Sequence, residues 1–175
     1  MELHDRQEYT RGIKSKGRTM KSHSLARLYT MVLALALLTF SGAGYSAGGN
    51  YSSDFDFEPV MDLLAEEKYQ LAIDMLHDEL DNDPDNPDIM SLLGFSYRKT
   101  QNYEDALTFY EWALKAEPDH RGANEYLGEL YLETNQFDKA VEQLQILDNL
   151  CRTNCKEYTK LKQMIDTFQQ SASNS

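Results

Sequence analysis

PDIMSLLGFSYRKTQNYEDALTFYEWALKAEPDH, residues 87–120, decides the fold of this chain. Leu93, Gly94 and Tyr97 form one cluster inside it, and Tyr103 and Ala106 open a second. Thirty-four residues later the same pattern returns. Leu127-Gly128-x-x-Tyr131 answers Leu93-Gly94-x-x-Tyr97, and Phe137-x-x-Ala140 answers Tyr103-x-x-Ala106. In the other direction, Tyr69-x-x-Ala72 stands 34 positions before Tyr103-x-x-Ala106, and Pro84 and Pro118 keep the same spacing. A fixed period of this length marks a repeat protein, in which each unit buries its apolar face only against its neighbours.

The spacing predicts helices over about 59–67, 70–82, 87–100, 103–116, 121–133 and 137–149. Gly94 and Ala106 are small where two antiparallel helices cross closely, and Tyr97, Tyr103 and Tyr110 fill the space beside the crossing. Asn86 and Asn102 precede helix starts as capping residues, with Pro87 at a first helical position where its missing N–H is harmless. Pro59 interrupts the first unit and predicts a short opening helix. Beyond the last unit, Asn154-x-x-Glu157 has the form of a capping box. Tyr158, Leu161, Met164, Ile165 and Phe168 then recur at helical spacing, which predicts a seventh helix over 155–170 covering the open end. Residues 171–175 are expected to fray.

Residues 87–120 resemble a complete tetratricopeptide repeat, with Leu93, Gly94, Tyr97, Ala106, Tyr110, Ala113 and Pro118 at the family's signature positions. Residues 121–154 are similar through Leu127, Gly128, Tyr131, Phe137 and Ala140, although Arg152 replaces the closing proline. Residues 53–86 keep Tyr69, Ala72 and Pro84 without the Leu-Gly-x-x-Tyr element. The resemblance implies an all-α solenoid of two to three antiparallel helix hairpins over 53–154. It also implies that the first helix of each pair lines a concave, peptide-contacting surface. In this chain those positions are Ser91, Phe95, Arg98 and Lys99 on one helix and Glu125, Glu129, Leu132 and Glu133 on the next. Arg98-Lys99 is expected to offer positive charge to a ligand, and the three glutamates negative charge beside it. Leu92 stands where the family's carboxylate-holding clamp has asparagine, so that activity is not carried over.

The ends of the chain bear on where it works. Of the 17 basic and 29 acidic residues, seven basic and three acidic ones lie within residues 1–46, which leaves a strongly acidic body. Such a body repels phosphate backbones and anionic lipid, so nucleic acid is excluded as a partner. Lys21 and Arg27 precede the apolar run Met31–Phe40 and the small residues Ser41-Gly42-Ala43-Gly44, the layout of a secretory signal peptide whose working start is Met20. Residues 1–46 are therefore expected to be removed on export to the bacterial periplasm. The alternative is an inner-membrane anchor through residues 28–47. The two cysteines, Cys151 and Cys155, are expected to form a disulfide there, joining the last repeat to the capping helix.

No catalytic constellation emerges. There is no nucleophile elbow and no glycine-rich phosphate loop. His77 and His120 sit in different repeats, and Asp81, Asp83 and Asp85 lack the glycine and the closing glutamate of a calcium loop. Neither metal nor cofactor is expected. The sequence thus predicts a non-catalytic protein–protein interaction module, or scaffold, of the cell envelope, binding a peptide or helix of another envelope protein. Two other roles stand beside it: self-association of protomers through Phe109 and Trp112, and an accessory subunit of a cell-wall or outer-membrane assembly machine.

Overall fold

The computed structural model describes residues 55–152 and 155–173. The signal segment 1–46, the alternative anchor 28–47 and the cap residue Asn154 lie outside them. Seven helices and no strand occur among the described residues: α1 (Glu58–Ala65), α2 (Tyr69–Asn82), α3 (Pro87–Lys99), α4 (Tyr103–Ala116), α5 (Arg121–Glu133), α6 (Phe137–Cys151) and α7 (Lys156–Ser173). They pair as the hairpins α1/α2, α3/α4 and α5/α6, with α7 lying over α5 and α6. The all-α hairpin solenoid expected from the period is the observed architecture. The opening helix is short, eight residues, with Pro59 in its first turn.

The period is visible in the core. Ala72, Ala106 and Ala140 are each completely buried and stand 34 residues apart. Leu93, Leu127 and Leu161 repeat in the same way, as do Tyr97, Tyr131 and Ile165, all at most 9% exposed. The capping helix therefore continues the register of α3 and α5. It departs at Lys162, which stands where α3 and α5 have Gly94 and Gly128. Lys162 is about half exposed and pairs with Asp166 one turn on. A long charged side chain therefore occupies the position that is glycine at the two close helix crossings before it.

The turn inside each hairpin has one construction. Helix α3 ends with the Asn102 amide donating to the Tyr97 carbonyl at 2.9 Å and the Gln101 amide donating to the Arg98 carbonyl at 2.9 Å. This is a Schellman closure, and it places Gln101 in the left-handed region at φ 63°. Glu67 (φ 57°) and Asn135 (φ 59°) do the same in the other two hairpins. None of the three is glycine, so composition did not announce them.

Three expectations need correction. Asn102 does not cap α4, because as the last residue of the Schellman turn its side-chain amide turns to Asp105 instead. Phe109 and Trp112 are not surface aromatics: they are 0% and 5% exposed. The Phe109 ring stacks on Tyr97 of its own hairpin at 5.5 Å and meets His77 of the hairpin before it edge-on at 5.5 Å. The C-terminal helix also runs further than expected, to Ser173, with the Ser171 hydroxyl donating to the Phe168 carbonyl at 2.7 Å.

Candidate partner-binding groove

The first helices of the hairpins, α1, α3 and α5, together with α7, share one side of the molecule. Between their N-terminal ends lies a cleft of about 530 Å³. Its apolar wall includes Phe57, Met61 and Tyr126, and Met61 is 51% exposed. Five carboxylates line it, those of Asp88, Glu117, Asp119, Glu125 and Glu157. Arg121 and Lys156 reach the same cleft from exposed positions. A second, mainly apolar cleft of about 440 Å³ separates the far ends of α5 and α7, where Leu132 and Glu133 face Met164 and Phe168.

Residues 120–126 explain how the first cleft is held open. His120 caps α5: its Nδ1 accepts from the Ala123 amide at 2.9 Å, so Nε2 carries the proton and donates to Asp88 Oδ1 at 2.9 Å. That contact ties the start of α5 to the start of α3. Asn86, 34 residues earlier, caps α3 by accepting from the Ile89 amide at 3.1 Å. From the sequence His120 is weighed only as a metal ligand and not as a cap, but the period counted from Asn86 points to it.

The eight predicted groove residues are divided by the structure. Ser91 and Glu125 line the larger cleft, and Leu132 and Glu133 line the smaller one. Phe95 lies between them, its ring against Tyr126 at 5.0 Å and Tyr69 at 6.3 Å. Lys99 is exposed, its Nζ 5.8 Å from the Phe95 ring. Arg98 departs from the exposed cation expected of it. Only 3% of it is accessible; one guanidinium nitrogen meets Glu129 at 2.6 Å and the other meets Glu133. Glu129 and Glu133 are one turn apart on α5, so the planar guanidinium lying across that helix finds two acceptors and is neutralised within the fold.

The ion-pair chain continues onto α7. Lys160 bridges Glu125 at 2.6 Å and Glu129 at 2.8 Å, with its Nζ 5.5 Å from the Tyr126 ring. Glu133, Arg98, Glu129, Lys160 and Glu125 thus alternate in sign across three helices. Burial works against the charge of Arg98, but Tyr110, Glu129 and Glu133 more than offset this and raise its pKa. Burial works against Lys160 as well, and its two glutamates prevail, so its pKa is pushed up to about 12. For Glu125 burial is the largest effect, and Lys160 does not fully offset it, so its pKa is raised. The Tyr110 phenol, fully buried beside Arg98, is also pushed up, chiefly by burial. Neither Lys160 nor Glu157 was singled out as a site residue, because the contacts between α5 and α7 have no counterpart in the repeating letters.

Two tetratricopeptide-repeat family models match the sequence, one over residues 63–111 and the other over residues 93–149. The transcription factor tau 131 kDa subunit of Saccharomyces cerevisiae is 34% identical over 84 residues, which cover 47% of this chain and 8% of that protein. Among solved structures, the first tetratricopeptide-repeat domain of human RPAP3 superposes with a TM-score of 0.59 at 21% identity, covering 67% of this chain and 92% of that one. The type III secretion translocator chaperone SycD of Yersinia enterocolitica superposes with a TM-score of 0.58 at 15% identity, covering 67% and 83%. Together with the hairpin solenoid, these matches support the tetratricopeptide-repeat family for the repeat region. Tetratricopeptide-repeat domains are, in general, modules of protein–protein interaction.

Proposed function

We propose that this chain is an exported, non-catalytic scaffold of the bacterial cell envelope that holds a peptide or helix of another envelope protein along its concave groove. The observation that carries the proposal is the cleft of about 530 Å³ walled by α1, α3, α5 and α7, where exposed Met61 stands beside charged side chains. Apolar contact with oriented charge is what selects one segment among many. A role as an accessory subunit of a cell-wall or outer-membrane assembly machine is one form of this function, and the bacterial chaperone named above offers a precedent for the fold. Self-association through Phe109 and Trp112 loses its surface, since both side chains are buried.

Export is supported by Lys21, Arg27 and the apolar run 31–40. Among the described residues no helix is long and apolar enough to cross a membrane. Cys151 and Cys155 have Cα atoms 5.7 Å apart, within the range a disulfide spans. In an oxidising compartment the bond would tie α6 to α7 and contribute about 2 kcal/mol for so short a loop.

The test is photo-crosslinking in the native host from position 61, inside the cleft, and from position 111, exposed on α4 and outside it. The expected result is an envelope-protein adduct from position 61 only, on a chain whose N-terminus begins between residues 44 and 48. Adducts from position 111 alone would move the binding surface off the groove, and an intact N-terminus in the cytosol would remove the envelope assignment.

A further inference from the structure

The geometry points to a socket for a basic side chain, the arginine or lysine of a bound segment, in the larger cleft, with Glu157 as its buried acceptor. This inference rests on the groove-binding function proposed above and specifies the chemistry of the ligand. The sequence suggested both polarities side by side, Arg98 and Lys99 offered to a carboxylate and Glu125, Glu129 and Glu133 to basic residues further along.

Two observations select the second. The first is that Arg98 is already satisfied: Glu129 and Glu133 take its guanidinium, and the residue is 3% exposed. A ligand carboxylate approaching it would meet those two glutamates first. The second is Glu157. It lines the cleft from the first turn of α7, is only 8% exposed, and its Oε2 has no hydrogen-bond partner. Glu125, on the opposite wall and 5% exposed, differs in that its Oε1 is held by Lys160 at 2.6 Å. A carboxylate oxygen withdrawn from water without a donor is costly, and a cationic donor entering the cleft relieves that cost.

The surroundings favour the same ligand. Asp88, Glu117 and Asp119 add negative charge at the rim, and five carboxylates outnumber the two permanent cations, Arg121 and Lys156. Both cations are exposed, while the unpartnered group is the buried carboxylate. Met61, Phe57 and Tyr126 provide an apolar wall for the methylene stem of an arginine or lysine. A charged head on an apolar stem matches this cleft; an acidic or purely apolar side chain does not.

The experiment selects a randomised displayed peptide library on the full-length chain, then compares the best arginine-containing binder with its citrulline analogue, which is isosteric and neutral. Enrichment of arginine and lysine is expected, with the citrulline peptide about tenfold weaker. Glu157→Gln should bring the arginine and citrulline affinities together, because the discrimination belongs to that pair. Met61→Lys, at the exposed mouth and away from the core, should weaken the arginine peptide by like-charge repulsion. If Glu157→Gln fails to fold, Met61→Lys decides, and undiminished binding by it overturns the socket. Binders without basic enrichment, or an unchanged arginine-to-citrulline ratio in Glu157→Gln, also overturn the socket and leave the groove function standing. A library that yields no binder sinks the groove function, and the socket with it.

Discussion

The two repeats 87–120 and 121–154 carry the same letters at the helix crossing, yet the structure fills the two positions differently. A Cβ added at Gly94 would lie 2.5 Å from Cε1 of Tyr110, within its own hairpin. A Cβ added at Gly128 would lie 2.5 Å from Cδ2 of Leu161, which belongs to the capping helix. The interior hairpin closes on itself through an aromatic ring. In the terminal hairpin, Leu144 stands where Tyr110 would be and is only half-buried, so the space beside Gly128 is taken by α7. Identical sequence at one position therefore implies close approach without saying which element approaches.

The sharpest way to break this comparison is to add a methyl group at each glycine. Alanine gains about 1 kcal/mol over glycine in a helix interior. At position 94 the added carbon meets the ring of Tyr110, which is completely buried and has nowhere to move. Overpacking of that kind costs about 1–3 kcal/mol, so Gly94→Ala should lower the denaturation midpoint despite its better helix propensity. At position 128 the nearest atoms are the two methyl ends of Leu161, which is as completely buried as Tyr110. It is flexible about its own side-chain bonds where a ring is rigid, so it gives way at a smaller cost that the helix propensity of alanine offsets. Gly128→Ala should come out near neutral. Equal losses in chemical denaturation would mean that the two crossings are filled alike.

The charge network separates the same two regions by pH, with a smaller effect. Lys160 joins the cap to the last hairpin, and its pKa is raised from 10.5 to about 12 by Glu125 and Glu129 against the opposing effect of burial. A cation whose folded pKa exceeds its unfolded value adds stability that is complete below about 10.5 and lost as pH rises towards 12. The raised phenols of Tyr110, Tyr126 and Tyr131 act with the same sign from pH 10 upward, so the chain as a whole should lose stability on the alkaline side. Lys160→Gln removes one contributor, and its melting temperature should fall less steeply through that window than the wild type's. Because Lys160 is half exposed, solvent screens the effect and keeps it below that of the glycine substitution. Parallel pH profiles for the two proteins would detach Lys160 from the stability of the cap.

What was legible in the sequence follows from which contacts repeat. The helices and the buried alanine and leucine positions recur every 34 residues, so a single chain displays each of them two or three times. The contacts that define the candidate site occur once. Lys160 and Glu157 sit on a helix that continues the register of Leu127 while changing the letters around it. The identity of the groups that neutralise Arg98 depends on how far α5 is rotated against α3, a quantity that helical spacing does not contain. A basic pair in an acidic chain reads as a binding feature, and for Lys99 exposure is observed; for Arg98 the neighbouring helix supplies the counter-charges.

The smallest effect lies in the turns, where the comparison widens to three hairpins. Glu67, Gln101 and Asn135 each hold a left-handed conformation, at φ 57°, 63° and 59°. The conformation costs an ordinary L-residue about 1–2 kcal/mol, less for asparagine, whose short polar side chain tolerates it. Glycine removes that cost but adds freedom to the unfolded chain, so only part of the gain survives. Gln101→Gly should therefore raise the denaturation midpoint by the equivalent of up to about 1 kcal/mol. Asn135→Gly should change it by a smaller amount, because asparagine already accommodates the turn. The amide of residue 102 must still reach the Tyr97 carbonyl in the variant, and hydrogen exchange at that amide reports whether it does. A gain at position 135 that matches or exceeds the gain at 101 would mean that the turns differ by something other than the side chain at the left-handed position. Losses at both would mean that the Schellman closure in this protein does not strain its side chains at all.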